Sequence, residues 1–358
     1  MRAFTMAAVA ALALTTPASV PLGETVLAPL SGAAMAQSVG YSQAGLQAYL
    51  PRLRARALAA GVRPSTIDSV FPTLQFSART IQLDQAQPGG SAGSNATPAF
   101  APYRERHVNP ALIAGGQRRY AANLSQLQSI GRRYGVTPSI LVAIWGHETS
   151  YGAVTGDFDL LNSLATLAYE GRREDLFADE FVAALKMLER GVPRSRLKGS
   201  WAGATGYPQF LPSVWLRIAA DGDGDGEANI WSSAPDALAS IASYLSNAGW
   251  KPNTPWGVAV TVPSGFDRSA LRTRLLSPRC PRVHERHSRW MTIGEWRRLG
   301  FTAQGPMPRD SELASLIEPD GPGRTAYLLT TNYRTILDYN CSNFYALSVG
   351  LLADAVAR

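Results

Sequence analysis

Several segments in the middle of this chain carry apolar residues at helical spacing and end at a glycine. They include "YAANLSQLQSIGRRYG" (120–135), "DEFVAALKMLERG" (179–191) and "PDALASIASYLSNAGW" (235–250). Apolar residues three or four positions apart lie on one face of a helix, and glycine commonly follows a helix end. With 358 residues, 46% of them hydrophobic, the chain can bury a substantial core in two or three domains. We therefore expect a mainly helical protein.

The regions on either side differ from this helical middle. Leu46 to Val70 has helical spacing, whereas "QPGGSAGSNATP" (87–98) is rich in Gly, Ser and Pro and predicts a linker. Beyond Trp256, "WGVAVTVPSGF" and "RTAYLLTTN" alternate as strands do, and a helical tail follows. We predict four regions in the mature protein: an N-terminal helical region with its linker (37–98), a helical core (99–257), a small β-containing domain (258–330) and a C-terminal helix that rejoins the core (331–358).

The first residues are typical of a secretory signal. "MRAFTMAAVAALALTTPASV" places one arginine before an apolar run too short to span a bilayer, and small residues in "SGAAMAQ" predict cleavage after Ala36, with Ala18 as the alternative. No cysteine stands nearby to accept a lipid anchor, and no later run predicts a membrane helix. We expect a soluble periplasmic protein. Its net charge of +7 suits an anionic partner without selecting one.

The chain has two cysteines, Cys280 and Cys341. In an oxidising compartment a pair is more simply explained as a disulfide than as a metal site, which would need four ligands. The separation of two cysteines in sequence gives no distance between them, so a disulfide and two free thiols both stay open.

The segment "GVTPSILVAIWGHETSYG" (135–152) carries an acidic residue on the apolar side of a predicted helix. Thr137 is a candidate N-cap, Pro138 suits the first helical position, and Gly152 is the predicted stop. Glu148 continues the apolar stripe that includes Trp145. Burial and the negative end of the helix dipole both favour a protonated carboxyl there, which makes Glu148 a candidate acid.

A plainer interpretation of this helix is also open. In that alternative Glu148 lies on the surface at the last turn, and its position on the stripe is a coincidence. The neighbouring His147 points elsewhere on the helix and is expected to be a surface or hydrogen-bonded histidine. The "HE" pair lacks the second histidine of a zinc protease helix, so that motif is rejected.

A second segment, "GSWAGATGYPQFLPSVW" (199–215), is dense in glycine and aromatic residues. Such a segment can bring backbone close to a flat, hydroxyl-rich ligand, on which aromatic rings pack. Ser200 and Gln209 would supply polar groups to that ligand. The alternative is a tight helix junction that glycine makes possible, without any ligand.

The acidic run "DGDGDGEANIWSSAPD" (221–236) opens like a calcium-binding loop of the EF-hand kind. Asp221, Asp223 and Asp225 stand at alternate positions and Gly226 is sixth. The twelfth position is a serine, so Asp236 is the candidate closing ligand. We expect a structural calcium ion, with a turn that binds no metal as the alternative.

Four motifs in this order resemble a known family. "IWGHETSYG", "GSWAGATGYPQFLPSVW", "DGDGDGEANIWSSAPDALASIASYL" and "YNCSNFYAL" are similar to the membrane-bound lytic transglycosylase B family, the lytic murein transglycosylases of glycoside hydrolase family 103. The resemblance runs from about Leu46 to the C-terminus. It departs at His147, where the family usually has valine, and at Thr205 and Tyr207, where it generally has methionine and glutamine.

The resemblance implies a lysozyme-like, mainly helical α+β fold and one catalytic acid/base, to which Glu148 corresponds. It also implies a calcium loop in which Glu227 contributes its backbone carbonyl and Asp236 its side chain. Substrate-binding positions in the cleft would be Tyr103, Ser200, Gln209, Tyr244, Tyr339, Asn340 and Tyr345. Each of these has an alternative role as a packing or capping residue, above all Tyr345.

The implied activity is cleavage of the β-1,4 bond between N-acetylmuramic acid and N-acetylglucosamine, with formation of 1,6-anhydromuramoyl ends and no cofactor. One alternative is a scaffold that binds the wall without cleaving it. Another is a hydrolytic muramidase whose second carboxylate would be Asp157, Asp159, Glu170 or Asp175. We expect a monomer that binds glycan strands and no nucleic acid, with cell-wall synthesis or division proteins as further candidate partners.

Overall fold

The computed structural model describes residues 40–87, 99–271, 280 and 283–358. The predicted signal (1–36) lies outside these residues, and so does the predicted linker (87–98) except for its first residue. None of the helices in the described part of the chain combines the length and the apolar character needed to cross a membrane.

The described residues form fourteen α-helices. Their bounds are α1 Gln43–Ala59, α2 Pro64–Val70, α3 Ala78–Gln85, α4 Ala101–His107, α5 Pro110–Ala122, α6 Leu124–Tyr134, α7 Pro138–Thr149, α8 Leu160–Glu170, α9 Glu174–Glu189, α10 Pro212–Ile218, α11 Ala234–Asn247, α12 Ile293–Arg298, α13 Thr331–Tyr339 and α14 Asn343–Val356.

The same residues form seven β-strands in two sheets. Their bounds are β1 Phe158–Asp159, β2 Lys198–Gly199, β3 Gly257–Thr261, β4 Met291–Thr292, β5 Thr302–Ala303, β6 Leu313–Ile317 and β7 Ala326–Thr330. Strands β1 and β2 pair with each other, and the other five form an antiparallel sheet in the order β4-β6-β7-β3-β5.

The N-terminal helices are joined to the core by packing and by ion pairs. Helices α1 and α2 pack against α9, and α1 and α3 pack against α8. Arg56 of α1 contacts Asp175 and Asp179 of α9 at 2.6 and 2.7 Å. The buried Asp84 of α3 pairs with Arg172 and with Arg173, which follow α8. The N-terminal region is therefore part of the folded body.

Helix α7 lies at the centre of the helical core. Its residues from Ser139 to Gly146 are all buried, because α5, α6, α11 and α14 pack around it. A helix that is apolar on every side is stable only when neighbouring elements surround it in this way. The burial of α7 therefore fixes the position of its last turn relative to four other helices.

The five-stranded sheet is inserted between α11 and the C-terminal helices and has its own small apolar core. Val258, Leu316 and Leu328 are buried in this core, where β3 and β6 pair with β7 on either side. Strand β7 leads directly into α13. The sheet thus returns the chain to the helical core.

The tail forms two helices where the sequence pattern predicts one. Helix α13 ends at Tyr339, and α14 begins at Asn343 after the short segment 340–342. The side chain of Ser342 caps α14 by accepting a hydrogen bond from the Tyr345 N–H at 3.3 Å. A disulfide joins Cys341, in this same segment, to Cys280, with their Cα atoms 5.4 Å apart.

Candidate active site

Glu148 lies in the last turn of α7. Pro138 begins the helix, and Thr137 stands at the N-cap position without a side-chain hydrogen bond to the backbone. The helix ends at Thr149, three residues before the predicted stop. Ser150, Tyr151 and Gly152 follow with φ values of 49°, 62° and 88°. Only the last of the three is a glycine. Residues other than glycine usually have negative φ, so the surrounding structure must hold Ser150 and Tyr151 in this conformation.

Contacts of the turn explain how this backbone is held. The Thr149 hydroxyl donates to the carbonyl of Tyr207 at 3.2 Å and accepts from the Gly152 N–H at 3.1 Å. The Tyr151 hydroxyl donates to the carbonyl of Leu112 on α5 at 2.8 Å. Gly146 leaves room for the Tyr151 ring, since an added Cβ would lie 2.5 Å from it. The end of α7 is therefore anchored on both sides.

Within the described residues, the carboxyl group of Glu148 has one hydrogen bond. The Tyr345 hydroxyl donates to its Oε1 at 2.6 Å. Burial raises the pKa of Glu148 to about 7, and the Tyr345 hydrogen bond acts in the opposite direction. A carboxyl with this pKa exchanges its proton near neutral pH, as a group that serves as both acid and base requires.

Two further tyrosines line the same side of Glu148. The Tyr339 ring stacks parallel to the Tyr345 ring at 6.4 Å, and Tyr244 meets Tyr339 edge-on at 4.8 Å. The Tyr339 hydroxyl donates to the carbonyl of Pro208 at 2.5 Å. Burial, with the Glu148 charge as the next cause, raises the pKa values of Tyr339 and Tyr345 well above the usual range. Both therefore stay protonated as hydrogen-bond donors.

His147 was expected to be either a surface histidine or a hydrogen-bonded one. It is hydrogen-bonded and only partly exposed. Its Nε2 lies 2.7 Å from the Ser348 Oγ, and its ring is 4.6 Å from Tyr345 and 5.0 Å from His107. Burial first, and then His107, lowers the pKa of His147 to about 3. Its imidazole is therefore neutral at physiological pH.

Tyr103 and His107 extend this group of rings onto α4. Their rings stack at 3.8 Å, and burial, followed by the Glu148 charge, raises the pKa of Tyr103 to about 12. Sequence reasoning missed His107 and Ser348. Tyr103 and His107 are four residues apart on one helix, and residues at this spacing are neighbours on its surface. This spacing could have indicated that His107 lies beside Tyr103. Nothing in the sequence places Ser348 beside them.

The glycine-rich segment is brought to α7 by the β1–β2 pair. Phe158 pairs with Gly199, and an added Cβ on Gly156 would lie 2.2 Å from the Gly199 carbonyl oxygen. The Ser200 hydroxyl accepts from the Ala204 N–H at 3.1 Å, within its own turn. No hydrogen bond among the described residues joins Ser200 to Glu148. Close backbone approach is thus what glycine provides here.

Gln209 and Tyr207 bring the same segment against the end of α7. Gln209 has a φ of 49°, and its Nε2 donates to the carbonyls of Thr155 and Gly206 at 3.2 and 2.9 Å. The Tyr207 ring stacks on Trp145 at 5.4 Å. Asn340 follows Tyr339, and its side-chain amide makes no hydrogen bond within the described residues, which leaves it available to a ligand.

The other acidic residues considered for the site are engaged elsewhere or exposed. Asp159 caps α8 and pairs with Arg194 at 3.0 Å, and Asp175 pairs with Arg56. A carboxylate oxygen of Glu170 accepts from the Arg172 N–H at 2.9 Å, and Asp157 is exposed. Among the described residues, no second carboxylate contributes to the pKa shift of Glu148.

The acidic loop gathers three of its carboxylates. Oxygens of Asp221, Asp223 and Asp236 all lie within 4.8 Å of one another. Asp225 is outside this group and accepts from the Glu227 N–H at 2.8 Å, while the Glu227 side chain pairs with Arg196 at 3.2 Å. Burial raises the pKa of Asp236. Three carboxylates with one member buried form a donor set that suits a hard divalent cation such as Ca²⁺.

Comparison with known proteins identifies the family. The family model described as "Transglycosylase SLT domain" matches residues 45–354. The membrane-bound lytic murein transglycosylase B of Escherichia coli (strain K12) is 32% identical over 300 residues, which cover 81% of this chain and 74% of that protein. The chain therefore belongs to the lytic murein transglycosylase family, a class of enzymes.

Solved structures of related proteins share the fold. SltB3 from Pseudomonas aeruginosa, in complex with NAG-anhNAM-pentapeptide, matches with a TM-score of 0.77 at 38% identity, over 89% of this chain and 80% of that chain. The Escherichia coli lytic transglycosylase Slt35, in complex with calcium, matches with a TM-score of 0.68 at 27% identity, over 87% and 92%. These matches confirm the predicted lysozyme-like, mainly helical α+β fold.

Proposed function

We propose that this protein is a peptidoglycan lytic transglycosylase in which Glu148 acts first as acid and then as base. The observation that carries the proposal is one half-buried carboxyl, hydrogen-bonded to Tyr345, whose pKa is raised to about 7 with no second carboxylate acting on it among the described residues. In the first step, protonated Glu148 donates to the oxygen of the β-1,4 bond between N-acetylmuramic acid and N-acetylglucosamine. The muramoyl N-acetyl oxygen stabilises the anomeric carbon from the other side.

In the second step, Glu148 is a carboxylate and takes a proton from the C6 hydroxyl of the same muramoyl residue. The C6 oxygen then bonds to the anomeric carbon, which gives a 1,6-anhydromuramoyl end and consumes no water. The Tyr345 hydroxyl, 2.6 Å from Oε1, stabilises the carboxylate in this step. Burial favours the protonated form that starts the next cycle.

Residues around Glu148 support binding of the substrate. Asn340 is our first candidate for the muramoyl N-acetyl group, because its amide makes no hydrogen bond in the described structure and directly follows Tyr339, whose ring stacks on Tyr345. Ser200 and Gln209 are candidates for more distant sugar hydroxyls. The aromatic faces of Tyr103 and Tyr339, both half-buried, supply apolar surface of the kind on which sugar rings pack. Tyr244 is buried and packs against Tyr339, so its role is to support that ring.

Product mass tests the reaction. Purified sacculi are digested, and the released muropeptides are weighed, since hydrolysis adds one water to the muramoyl end and transglycosylation adds none. We expect anhydromuramoyl ends from the wild type and a loss of at least about a hundredfold in rate for Glu148→Gln. Dominant reducing ends would favour the muramidase, and binding of sacculi without any release would favour the scaffold.

We propose further that the acidic loop binds one structural calcium ion through Asp221, Asp223 and Asp236. Asp225 and the Glu227 backbone carbonyl stand beside this group as additional candidate ligands. The calcium complex of Slt35, a protein of the same fold, is consistent with this assignment. An ion there would tie the loop to the start of α11, where Asp236 lies.

Titration calorimetry and thermal unfolding test the calcium site. After treatment with a chelator, added Ca²⁺ should release heat and raise the unfolding temperature of the wild type. It should do so equally in Asp267→Asn, which changes an exposed acid far along the chain, and not in Asp236→Asn. A wild type that shows neither heat nor a thermal shift would contradict the proposal.

The place of action that best suits this activity is the periplasm, where the glycan strands lie. We propose that the protein acts there as a monomer without a catalytic cofactor. Proteins of wall synthesis or division are candidate partners, and fractionation of cells followed by immunoblotting would test the location.

A further inference from the structure

Two hydrogen bonds join the last turn of α7 to α14. The Tyr345 hydroxyl donates to Glu148, and one turn further along α14 the Ser348 Oγ lies 2.7 Å from the His147 Nε2. Residues three positions apart are neighbours on one face of a helix, so Tyr345 and Ser348 face α7 together. The first bond belongs to the proposed reaction, whereas the second joins two side chains that the reaction does not use.

The hydrogen bond between Ser348 and His147 has a defined direction. The buried Ser348 hydroxyl lies 2.8 and 2.9 Å from the carbonyl oxygens of Phe344 and Tyr345 in its own helix, so its single proton is donated there. The bond between the two helices is therefore donated by His147. Its imidazole is neutral, because burial lowers its pKa to about 3, and the one ring proton lies on Nε2.

The His147 ring also packs against rings from both α4 and α14. It meets the Tyr345 ring edge-on at 4.6 Å and stacks on the His107 ring at 5.0 Å. His107 is itself held within α4, where its Nδ1 lies 2.8 Å from the Tyr103 carbonyl oxygen. The His147 side chain is thus fixed by a hydrogen bond and by two aromatic contacts, which makes it a rigid link between α7 and α14.

We propose that His147 is a positioning residue, which fixes α14 against α7 through its hydrogen bond to Ser348. The Tyr345 hydroxyl is thereby held 2.6 Å from the carboxyl of Glu148. A single hydrogen bond between two helices leaves one helix free to turn about it, and a second bond one turn away removes that freedom. Hydrogen bonds weaken steeply as their angle departs from linearity. The inference rests on the proposed function, in which Glu148 has to ionise within each cycle.

The pKa of Glu148 reports where the Tyr345 hydroxyl lies. Tyrosines of three other helices face this carboxyl: Tyr103 of α4, Tyr339 of α13 and Tyr345 of α14. Burial first, and then the Glu148 charge, raises the pKa of each, so all three are neutral near pH 7. Apart from burial, the Tyr345 hydrogen bond is the cause that acts on the pKa of Glu148 among the described residues. A weaker bond therefore raises that pKa.

Three variants separate the hydrogen bond of His147 from its ring. His147→Phe keeps a flat ring and loses the donor, His147→Gln keeps an amide donor, and Ser348→Ala removes the acceptor. Ser163→Ala is the matched control for the last of these, because Ser163 is also a buried helical serine whose hydroxyl contacts another helix, at Thr80 of α3, 3.3 Å away. Each variant is made in the wild type and in Tyr345→Phe.

Two readouts are compared. The kcat and KM for release of anhydromuropeptides are measured between pH 5 and pH 9, and the pKa of Glu148 is measured by NMR of carboxyl-labelled glutamate, with Glu148→Gln to assign the signal. We expect His147→Phe and Ser348→Ala to lose about fivefold in kcat with little change in KM, the equivalent of one hydrogen bond. In both, the pKa of Glu148 and the descending alkaline limb of kcat/KM should move to higher pH. His147→Gln and Ser163→Ala should keep the wild-type values.

The Tyr345→Phe background distinguishes positioning from packing. There, His147→Phe should change neither kcat nor the pKa of Glu148 any further, because the hydroxyl that His147 positions is absent. An unchanged pKa of Glu148 in both His147→Phe and Ser348→Ala, or an equal loss of kcat in the two backgrounds, would overturn the inference. If the wild type cleaves no substrate, the proposed function fails, and the pKa values from NMR still decide whether His147 positions Tyr345.

Discussion

Burial and the Tyr345 hydroxyl act on the carboxyl of Glu148 in opposite directions. Burial disfavours the charge and raises the pKa to about 7, while the hydrogen bond stabilises the carboxylate. A pKa near the working pH makes the protonated acid and the ionised base both available within one cycle. The two opposing effects thus match the two roles that one residue has to fill.

Replacing Tyr345 by Phe should separate these two effects. Without the hydrogen bond the pKa of Glu148 rises, so more of the free enzyme is protonated above neutral pH. The descending alkaline limb of kcat/KM should therefore move to higher pH. The maximal rate should fall roughly tenfold, because the carboxylate needed in the second step loses its donor. Rates of anhydromuropeptide release between pH 5 and pH 9 measure both effects.

Tyr333→Phe is the control for that experiment. Tyr333 is also a buried tyrosine with a raised pKa, but its hydroxyl donates to the Asn343 carbonyl at 3.0 Å and not to Glu148. Its pH profile should match that of the wild type. An alkaline limb that stays in place in Tyr345→Phe, or moves to lower pH, would show that Tyr345 does not act on Glu148 as described.

At the scale of the elements, local periodicity predicts α7 well and its end poorly. The apolar stripe and Pro138 indicate the helix and the position of Glu148, because both depend on neighbours within a few residues. The end at Thr149 depends instead on Tyr151. Its ring packs against Gly146, and its hydroxyl donates a hydrogen bond to the Leu112 carbonyl on α5. A left-handed turn built from Ser150 and Tyr151 needs these distant contacts, so the sequence indicates the later Gly152 as the stop.

The disulfide joins the sheet-containing insertion to the segment between α13 and α14. Cys341 lies between Asn340 and Ser342, and the Ser342 side chain caps the helix that carries Tyr345. Cys280 is buried and lies 61 residues earlier in the chain. A crosslink that closes a loop of this size stabilises a protein by roughly 4 kcal/mol in the chain-entropy description.

Removal of this disulfide should lower stability and also activity. We expect Cys280→Ser/Cys341→Ser to lose a few kcal/mol of unfolding free energy in urea, on the order of the crosslink contribution. Its kcat should fall more than its KM rises, because a loosened 340–342 segment displaces Tyr345 from Glu148. Wild type treated with a reductant is the control for packing changes caused by serine. Equal stability of the oxidised and reduced wild type would contradict this prediction.

At the scale of the whole molecule, the sequence predicts where helices lie along the chain, but it does not predict how they pack against one another. Family resemblance correctly indicates the lysozyme-like fold, and alternation indicates strands near β3 and β7. The sheet order β4-β6-β7-β3-β5 depends on pairing between segments far apart in sequence. The contact of His147 with Ser348 spans 201 residues for the same reason. Such long-range contacts leave no periodic signal.

Buried histidines should make the whole fold sensitive to acid. His284 and His287 are both buried where the sheet-containing insertion meets α14, and His287 Nε2 lies 2.8 Å from the Asn343 Oδ1. Burial is the main cause that lowers the pKa of each to about 4. Because the unfolded chain binds these protons at about pH 6.5, it takes up more protons than the folded chain between pH 6.5 and 4. Stability is therefore fully present above pH 6.5 and decreases as the pH falls.

A His287→Gln variant tests this sign. Its amide can still donate to Asn343, but it cannot ionise, so the stability of the variant should depend less on pH. Each buried histidine contributes about 1.4 kcal/mol of lost stability per pH unit below 6.5. Urea unfolding at pH 7.5, 6, 5 and 4.5 should therefore show a slope that is smaller by about this amount in the variant, whatever its stability at pH 7.5. Identical slopes for both proteins would mean that His287 is protonated in the folded state at about the same pH as in the unfolded chain, and that burial at this junction does not exclude the charge.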